Sequence, residues 1–240
     1  MDVRLPPVRL VLMRPRTAEN LGAAARAMKN CGLSDWAWVD VQAEELGPAR
    51  RMAVHAEELL DAARRPTTLD EAISDCVWVV GTSSRFVRGK RRMTPRAVAE
   101  EAVTRGAQGP VAIVFGDERS GLTNEEVDRC HDLSAVPTDP SQPSINLAQA
   151  VLLYAYELRM AALAAEPRAP APLPAAATDA ELAFLETALH DALKAGGFLV
   201  HEERHALRDL TNPLRRARLS RHEARLWIAA LRTLGRERRG

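Results

Sequence analysis

Five short apolar runs punctuate the first part of the chain: Val8–Met13, Trp36–Val39, 76–80, Val111–Phe115 and a weaker one at 133–136. Each is apolar on successive positions rather than on alternate ones, as a strand covered on both faces reads. Between them lie helix-length stretches rich in Ala, Glu and Arg, at 21–30, 53–63, 95–104 and 123–130. The first stops at Cys31-Gly32, a helix terminator. Thr123-Asn124-Glu125-Glu126 has the Thr-to-Glu spacing of a capping box. A further helix is expected over about 146–165. Strand and helix alternating in this way predict an α/β fold, a parallel sheet with right-handed crossovers.

The composition then shifts. Residues 166–180 hold four prolines (Pro167, Pro170, Pro172, Pro174) among alanines, the mark of a semi-rigid linker. Beyond it the pattern is helical only, at 178–195 before Gly196-Gly197, at about 202–210 and at 220–234, with Thr178 and Ser220 as N-caps. The expected organisation is an α/β domain over 1–165, a Pro/Ala linker over 166–177 and a small all-α, basic extension over 178–240.

Composition narrows the class. At 240 residues, 46% hydrophobic and 27% charged, the chain can bury a sizeable core and is not disordered as a whole. Three scattered cysteines (Cys31, Cys76, Cys130) exclude a disulfide scaffold and fit a reducing cytoplasm. No apolar run approaches the roughly 20 residues of a membrane span, and Met1-Asp2-Val3-Arg4-Leu5-Pro6-Pro7 lacks a secretory apolar core. A cytoplasmic protein with no membrane partner is expected.

A formal net charge of +1 says little, but its distribution says more. Residues 201–240 carry eleven arginines against five acids. The stretch from Arg85 to Arg96 holds Arg85, Arg88, Lys90, Arg91, Arg92 and Arg96 and no acid. Two basic segments on a near-neutral chain suggest a polyanion partner, the alternative being two solvated faces.

Four strand-to-helix junctions are rich in small and polar residues. The first runs Ala18-Glu19-Asn20-Leu21-Gly22-Ala23-Ala24-Ala25-Arg26-Ala27-Met28-Lys29, where small residues permit close packing or close approach of a ligand. The second is Gly81-Thr82-Ser83-Ser84-Arg85, at a strand end where open α/β sheets bind ligands. The third, Gly116-Asp117-Glu118-Arg119-Ser120-Gly121-Leu122, places three charges directly after a core strand. The fourth, Val136-Pro137-Thr138-Asp139-Pro140-Ser141-Gln142-Pro143-Ser144-Ile145-Asn146, is stiffened by prolines and ends where Ser144 or Asn146 can cap a helix. No G-x-G-x-x-G follows the first strand, and there is no P-loop and no G-x-S-x-G elbow, which argues against dinucleotide enzymes, P-loop NTPases and α/β-hydrolases. His201-Glu202-Glu203-Arg204-His205 fits H-E-x-x-H. As a zinc hydrolase the site would use His201, Glu202 and His205, with His222 or Glu223 as third ligand. Its place in a short arginine-rich appendage favours a polar helix face, and no metal is expected.

Taken together and in order, these segments resemble the SPOUT class of RNA methyltransferases, within it the TrmH/TrmJ group of 2′-O-ribose methyltransferases, and most of all its TrmJ branch. The resemblance rests on Asn20-Leu21-Gly22-Ala23-Ala24-Ala25-Arg26-Ala27-Met28, on Phe115-Gly116-Asp117-Glu118-Arg119-Ser120-Gly121-Leu122 and on Pro143-Ser144-Ile145-Asn146-Leu147-Ala148-Gln149-Ala150. Gly121-Leu122-Thr123-Asn124-Glu125-Glu126, Cys130-His131, Gly197-Phe198 and Leu214-Arg215-Arg216-Ala217 add to it.

That resemblance implies a SPOUT sheet with a trefoil knot formed by tucking the chain after Gly116 through an earlier loop. It implies an S-adenosylmethionine pocket touching Thr82, Ser83, Ser84, Gly116, Val136, Pro143, Ser144 and Ile145. It implies a homodimer in which the partner completes each active site, and tRNA as substrate, methylated on the ribose of cytidine or uridine 32 of the anticodon loop. Another tRNA position, ribosomal RNA, or RNA binding without catalysis are the neighbouring alternatives. Arg26 is the residue the family assigns to activating the hydroxyl. A guanidinium is a poor general base, so Arg26 is read here as gripping phosphate and stabilising the developing alkoxide. Asn20 would hold Arg26 or the ribose, Glu118 would orient Arg26 or the cofactor's amino group, and Ser144 and Asn146 would position the hydroxyl. Arg85, Arg88, Lys90, Arg91, Arg92, Arg215, Arg216 and Arg218 would meet RNA phosphates. Asp117 departs from the pattern, placing a negative charge beside the RNA path.

Overall fold

The computed structural model describes residues 5–43, 45–165, 174–199 and 203–237. The strands are β1 (Val8–Met13), β2 (Trp36–Val39), β3 (Trp78–Thr82), β4 (Arg92–Met93), β5 (Val111–Phe115) and β6 (Asp132–Ser134). The helices are α1 (Ala18–Cys31), α2 (Gly47–Ala53), α3 (Glu57–Ala62), α4 (Leu69–Ile73), α5 (Pro95–Arg105), α6 (Asn124–Arg129), α7 (Leu147–Ala164), α8 (Asp179–Ala195), α9 (Glu203–Arg216) and α10 (Arg221–Glu237).

All six strands pair in parallel, in the order β2-β1-β5-β3-β6-β4. The continuous apolar runs follow from this: β1 and β5 are buried at every position, with successive side chains entering opposite faces. Leu10, Leu12, Trp36, Trp38, Trp78 and Phe115 join one core with α1, α5 and α7. Val11, Met13, Ala37, Val39, Val79 and Val114 join the other with α4 and α6. The alanine-rich stretch of α1 serves packing, since a Cβ on Gly22 would lie 2.1 Å from the Ala49 carbonyl oxygen of α2.

Several boundaries differ from expectation. The helix expected over 53–63 is shortened to α3, and α2 ends at Ala53 where it was expected to begin; Val54 and His55 between the two both take positive φ (21° and 64°). β3 starts later than residue 76 and takes in Gly81 and Thr82, while the last run shifts to Asp132–Ser134. Three elements were not expected: α2 and α4, both too short to show a period, and β4, hidden in the basic stretch. α9 runs through Thr211-Asn212-Pro213 rather than breaking there. A proline inside a helix gives up one ladder bond and crowds the carbonyl four residues back; α9 continues past Pro213 because the turn beyond it is anchored by the buried Arg215, paired with Asp179 and Glu186.

Among the described residues one helix, α7, is long and apolar enough to cross a membrane, which corrects the sequence expectation. Its inner face packs with α1 and α5, Tyr154 Oη donates to Ser134 Oγ (2.7 Å), and Glu157 and Arg159 interrupt it. It is a core helix with an exposed apolar stripe of Leu152, Leu153, Tyr156, Met160 and Leu163.

The C-terminal helices have a small core of their own, with Leu182, Leu185, Ala188, Ala224 and Leu231. They dock onto the sheet domain through main-chain bonds from Asp179 N to Cys76 O (2.8 Å) and from Ala180 N to Ser74 O (3.2 Å). The buried Asp179 carboxylate accepts from Arg215 Nη1 (2.7 Å) and Arg129 Nη2 (2.6 Å).

Candidate active site

The C-terminal ends of β3, β5 and β6 open into a cavity of about 340 Å³. Thr82, Ser83 and Ser84 enter it from β3, Gly116 to Leu122 from the loop after β5, Val136 from beyond β6, and Pro143, Ser144 and Ile145 from the loop before α7. All eight residues expected to hold a cofactor therefore line one space. Its floor includes Phe115, Leu147 and Tyr154. The wall around Gly116 is tight: a Cβ there would lie 2.2 Å from the carbonyl carbon of Gly121 and 2.4 Å from Leu122 N. That loop is closed on itself by Gly121 N to Asp117 O (2.8 Å) and Asp117 N to Gly121 O (3.2 Å).

The two carboxylates after Gly116 do different work. Asp117 is 3% exposed. It accepts from the N–H groups of Arg119 (2.8 Å) and Ser120 (3.0 Å), the Ser120 hydroxyl (3.2 Å) and Arg16 Nε (2.5 Å). Burial alone would raise its pKa; the donors outweigh it and hold the carboxyl at about 2. The expectation that Asp117 places negative charge beside an RNA path is thus corrected: the charge is buried and paired with Arg16. A carboxyl depressed from 3.8 to about 2 stabilises the fold fully above about pH 4, and the contribution disappears as pH falls towards 2. Asp117→Asn is expected to cost about 2 kcal/mol in urea unfolding at pH 7, with the gap to wild type closing near pH 2. A constant gap across that range would remove the charge from the account.

Glu118 accepts from the main-chain N–H groups of Arg16 (3.2 Å) and Thr17 (3.3 Å) and from Asn20 Nδ2 (3.2 Å). Asn20 Oδ1 in turn accepts from Asn146 Nδ2 (2.9 Å), and Asn146 Oδ1 caps α7 by accepting from Ala148 N (2.9 Å) and Gln149 N (3.3 Å). The chain Glu118–Asn20–Asn146 ties together the starts of α1 and α7 and the loop after β5. Arg26 is not part of it. At 100° per residue it sits well round the helix from Asn20, is exposed, and has no hydrogen-bond or ion-pair partner among the described residues. Neither Asn20 nor Glu118 contacts Arg26 of the same chain, so of the expected partners the ribose remains for Asn20 and the cofactor's amino group for Glu118.

The basic residues divide. Lys90 and Arg215 are buried and not available to a phosphate path on the surface. Lys90 donates to the carbonyls of Asp128 (3.1 Å) and Cys130, and burial pushes its ammonium down to about 8. Arg91 pairs with Asp132 and Glu101, and Arg218 with Glu101. Arg85 bonds Asn124 Oδ1 (3.0 Å) and the Leu122 carbonyl at the cavity wall. Arg88, Arg92 and Arg216 remain exposed and without an acidic partner among the described residues. Of the H-E-x-x-H motif, His201 and Glu202 lie outside the described residues, and His205 is exposed on α9. No group of three or more metal-ligating side chains occurs among the described residues.

Sequence reading missed Arg16 and Tyr154. Arg14-Pro15-Arg16, charges directly after a core strand, was the available signal for the first; Tyr154 reads as an ordinary core residue of α7. A larger cleft of about 730 Å³ lies beyond β1 and β2. It contains none of the expected site residues, and its wall carries the Arg14–Glu126 ion pair.

The family model described as the SpoU rRNA Methylase family matches residues 7–156. The chain is 45% identical over 164 residues to a tRNA (cytidine/uridine/adenosine-2′-O-)-methyltransferase TrmJ of Pseudomonas aeruginosa, covering 68% of this chain and 64% of that protein. It is 40% identical over 163 residues to the tRNA (cytidine/uridine-2′-O-)-methyltransferase TrmJ of Escherichia coli K12, covering 68% and 66%. These matches span just under two thirds of the length of either relative. The crystal structure of TrmJ from Z. mobilis superposes with a TM-score of 0.82 at 32% identity, covering 94% of this chain and 98% of that one.

Proposed function

Because the chain belongs to the SpoU methylase family, we propose that it transfers a methyl group from S-adenosylmethionine to a ribose 2′-hydroxyl of tRNA, at cytidine or uridine 32 of the anticodon loop. The observation that carries this reading is the single cavity formed by the four loops. Its volume of about 340 Å³ lies at the lower end of the roughly 300–1,000 Å³ of small-molecule sites. It offers the hydroxyls of Thr82, Ser83, Ser84 and Ser144 beside the apolar Val136, Ile145 and Leu122, a donor set suited to a nucleoside-bearing ligand. The reading includes a trefoil knot: β6 lies between the successive strands β3 and β4, so the connection 83–91 must arch past a strand drawn from later chain.

The bound cofactor supplies an already activated sulfonium methyl, so the chain's work is alignment, charge stabilisation and proton removal. Ser144 and Asn146 position the 2′-hydroxyl. Glu118 and Asn20 fix the starts of α1 and α7 that carry them. Arg26 grips the neighbouring phosphate and stabilises the alkoxide as it forms, the proton passing to phosphate or solvent. Since Arg26 reaches nothing in its own chain, the reading also requires a homodimer in which Arg26 of the partner subunit completes each site. The apolar stripe on α7 supports that pairing, because a contiguous exposed apolar patch marks an interface. Arg88, Arg92 and Arg216 are left to meet RNA phosphates.

Incubation with labelled S-adenosylmethionine and unmodified tRNA, followed by mass-spectrometric mapping, is expected to place one 2′-O-methyl group on nucleotide 32. Label at another nucleotide would overturn the position. Label in ribosomal RNA with tRNA untouched would overturn the substrate.

A further inference from the structure

A third and smaller cavity, of about 190 Å³, lies away from the cofactor space, where α9 meets β3 and β6. Five arginines line it: Arg91, Arg105, Arg215, Arg216 and Arg218. Its one carboxylate, Asp132, already accepts from Trp78 Nε1 (2.9 Å) and from both Nε and Nη2 of Arg91 (3.3 and 2.9 Å). Nearby Glu101 is shared among Arg91, Arg105 and Arg218. The acids at this site are committed, and cations outnumber them.

Two buried donors in the same wall have no acceptor. His131 is 3% exposed, and its Nδ1 accepts from Val79 N–H (3.0 Å). The ring proton therefore sits on Nε2, which has no partner among the described residues. Burial, reinforced by Arg215, Lys90, Arg105 and Arg129, holds this imidazole neutral. Arg215 is 4% exposed. It spends Nε on Glu186 and Nη1 on Asp179 and the Arg129 carbonyl (3.2 Å), while Nη2 has no partner. A buried donor left unpaired costs about 1–3 kcal/mol. Two of them beside a surplus of guanidinium groups call for an acceptor that is also an anion.

We propose that this cavity binds a phosphate-type oxyanion, met by Arg216 and Arg218 at the rim and, once a small side-chain shift uncovers them, by His131 Nε2–H and Arg215 Nη2 from within. The volume of about 190 Å³ is ample for one phosphate group. The group is either a backbone phosphate of bound RNA or free inorganic phosphate, and in both cases it ties α9 to the sheet edge. The RNA source rests on the methyltransferase reading; the oxyanion site does not.

The test follows the Nε2–H resonance of His131 in the full-length protein labelled with 15N-histidine, titrated with inorganic phosphate against chloride at constant ionic strength. A saturable shift with phosphate alone is expected. Arg216→Ala, whose one side-chain bond is to the Asn212 carbonyl of its own helix, is expected to weaken phosphate binding about tenfold. Arg232→Ala, exposed on α10, should leave it unchanged. A shift that grows equally with chloride, or phosphate affinity unaltered by Arg216→Ala, overturns the proposal. Displacement of phosphate by tRNA assigns the site to the RNA backbone; saturation undisturbed by tRNA assigns it to the free ion. S-adenosylmethionine binding measured on the same samples reports separately on the methyltransferase reading.

Discussion

Gly116→Ala is expected to lower S-adenosylmethionine affinity by at least about tenfold and to destabilise the fold by about 2–3 kcal/mol. The reason is steric and local. The added methyl would meet main-chain atoms of Gly121 and Leu122 at 2.2–2.6 Å, and main chain cannot rotate away as a side chain can. The loop 117–121 is pinned by its own pair of backbone bonds and by the buried Asp117 carboxylate. Relief must come from moving the whole loop, which is one wall of the cavity. Gly121→Ala is the control in the same loop. Nothing lies within 4 Å of its would-be Cβ, but its φ of +68° is left-handed, so the cost is conformational, about 1 kcal/mol, and the cavity keeps its shape. Calorimetric titration with S-adenosylmethionine and urea unfolding of both variants separate the two effects. Wild-type affinity in Gly116→Ala would place the cofactor elsewhere, the larger cleft beyond β1 and β2 being the available space.

What the sequence disclosed, and what it withheld, follows from the range of the interactions involved. Val8–Met13, Trp36–Val39 and Val111–Phe115 match their strands because each is buried at every position, even β2 at the sheet edge, and a strand covered on both faces is a signal carried by consecutive residues. β4 was missed because Arg92-Met93 pairs on one side only, at the sheet edge, and two residues make no pattern. The junction loops were legible because chemistry-bearing residues directly after core strands are rare. Their convergence on one cavity was not, since it depends on the strand order β2-β1-β5-β3-β6-β4. Charge misled most. Lys90, Arg215 and Asp117 are written in the sequence as surface charges, yet each is buried against partners 40, 36 and 101 residues away. Composition counts charges without saying which find a counter-ion.

Arg26→Ala is expected to reduce methyl transfer to tRNA by about 10²-fold or more while leaving S-adenosylmethionine binding intact, because Arg26 touches neither the cavity nor its supporting bonds in its own chain. Asn20→Ala is expected to lose about as much, because loosening the link between Glu118 and Asn146 misplaces the aligned groups and misplacement on that scale costs about 10²-fold. The informative experiment mixes the two. If Arg26 acts across the dimer, a heterodimer of Arg26→Ala with Asn20→Ala has one site carrying both lesions and one site carrying neither. Random pairing makes half of all dimers hetero, so an equimolar mixture should recover about a quarter of wild-type activity per site from two nearly inactive proteins. If Arg26 acts within its own chain, each site of the heterodimer carries one lesion and the mixture stays inactive. Recovery therefore demands both the dimer and a shared site. Its absence, in a mixture shown to exchange subunits, would return the Arg26 role to a rearrangement of α1 within a single chain. Substituting exposed apolar residues of the α7 stripe, as in Tyr156→Glu or Met160→Glu, should then abolish the recovery too, since the shared site exists only where the two chains meet.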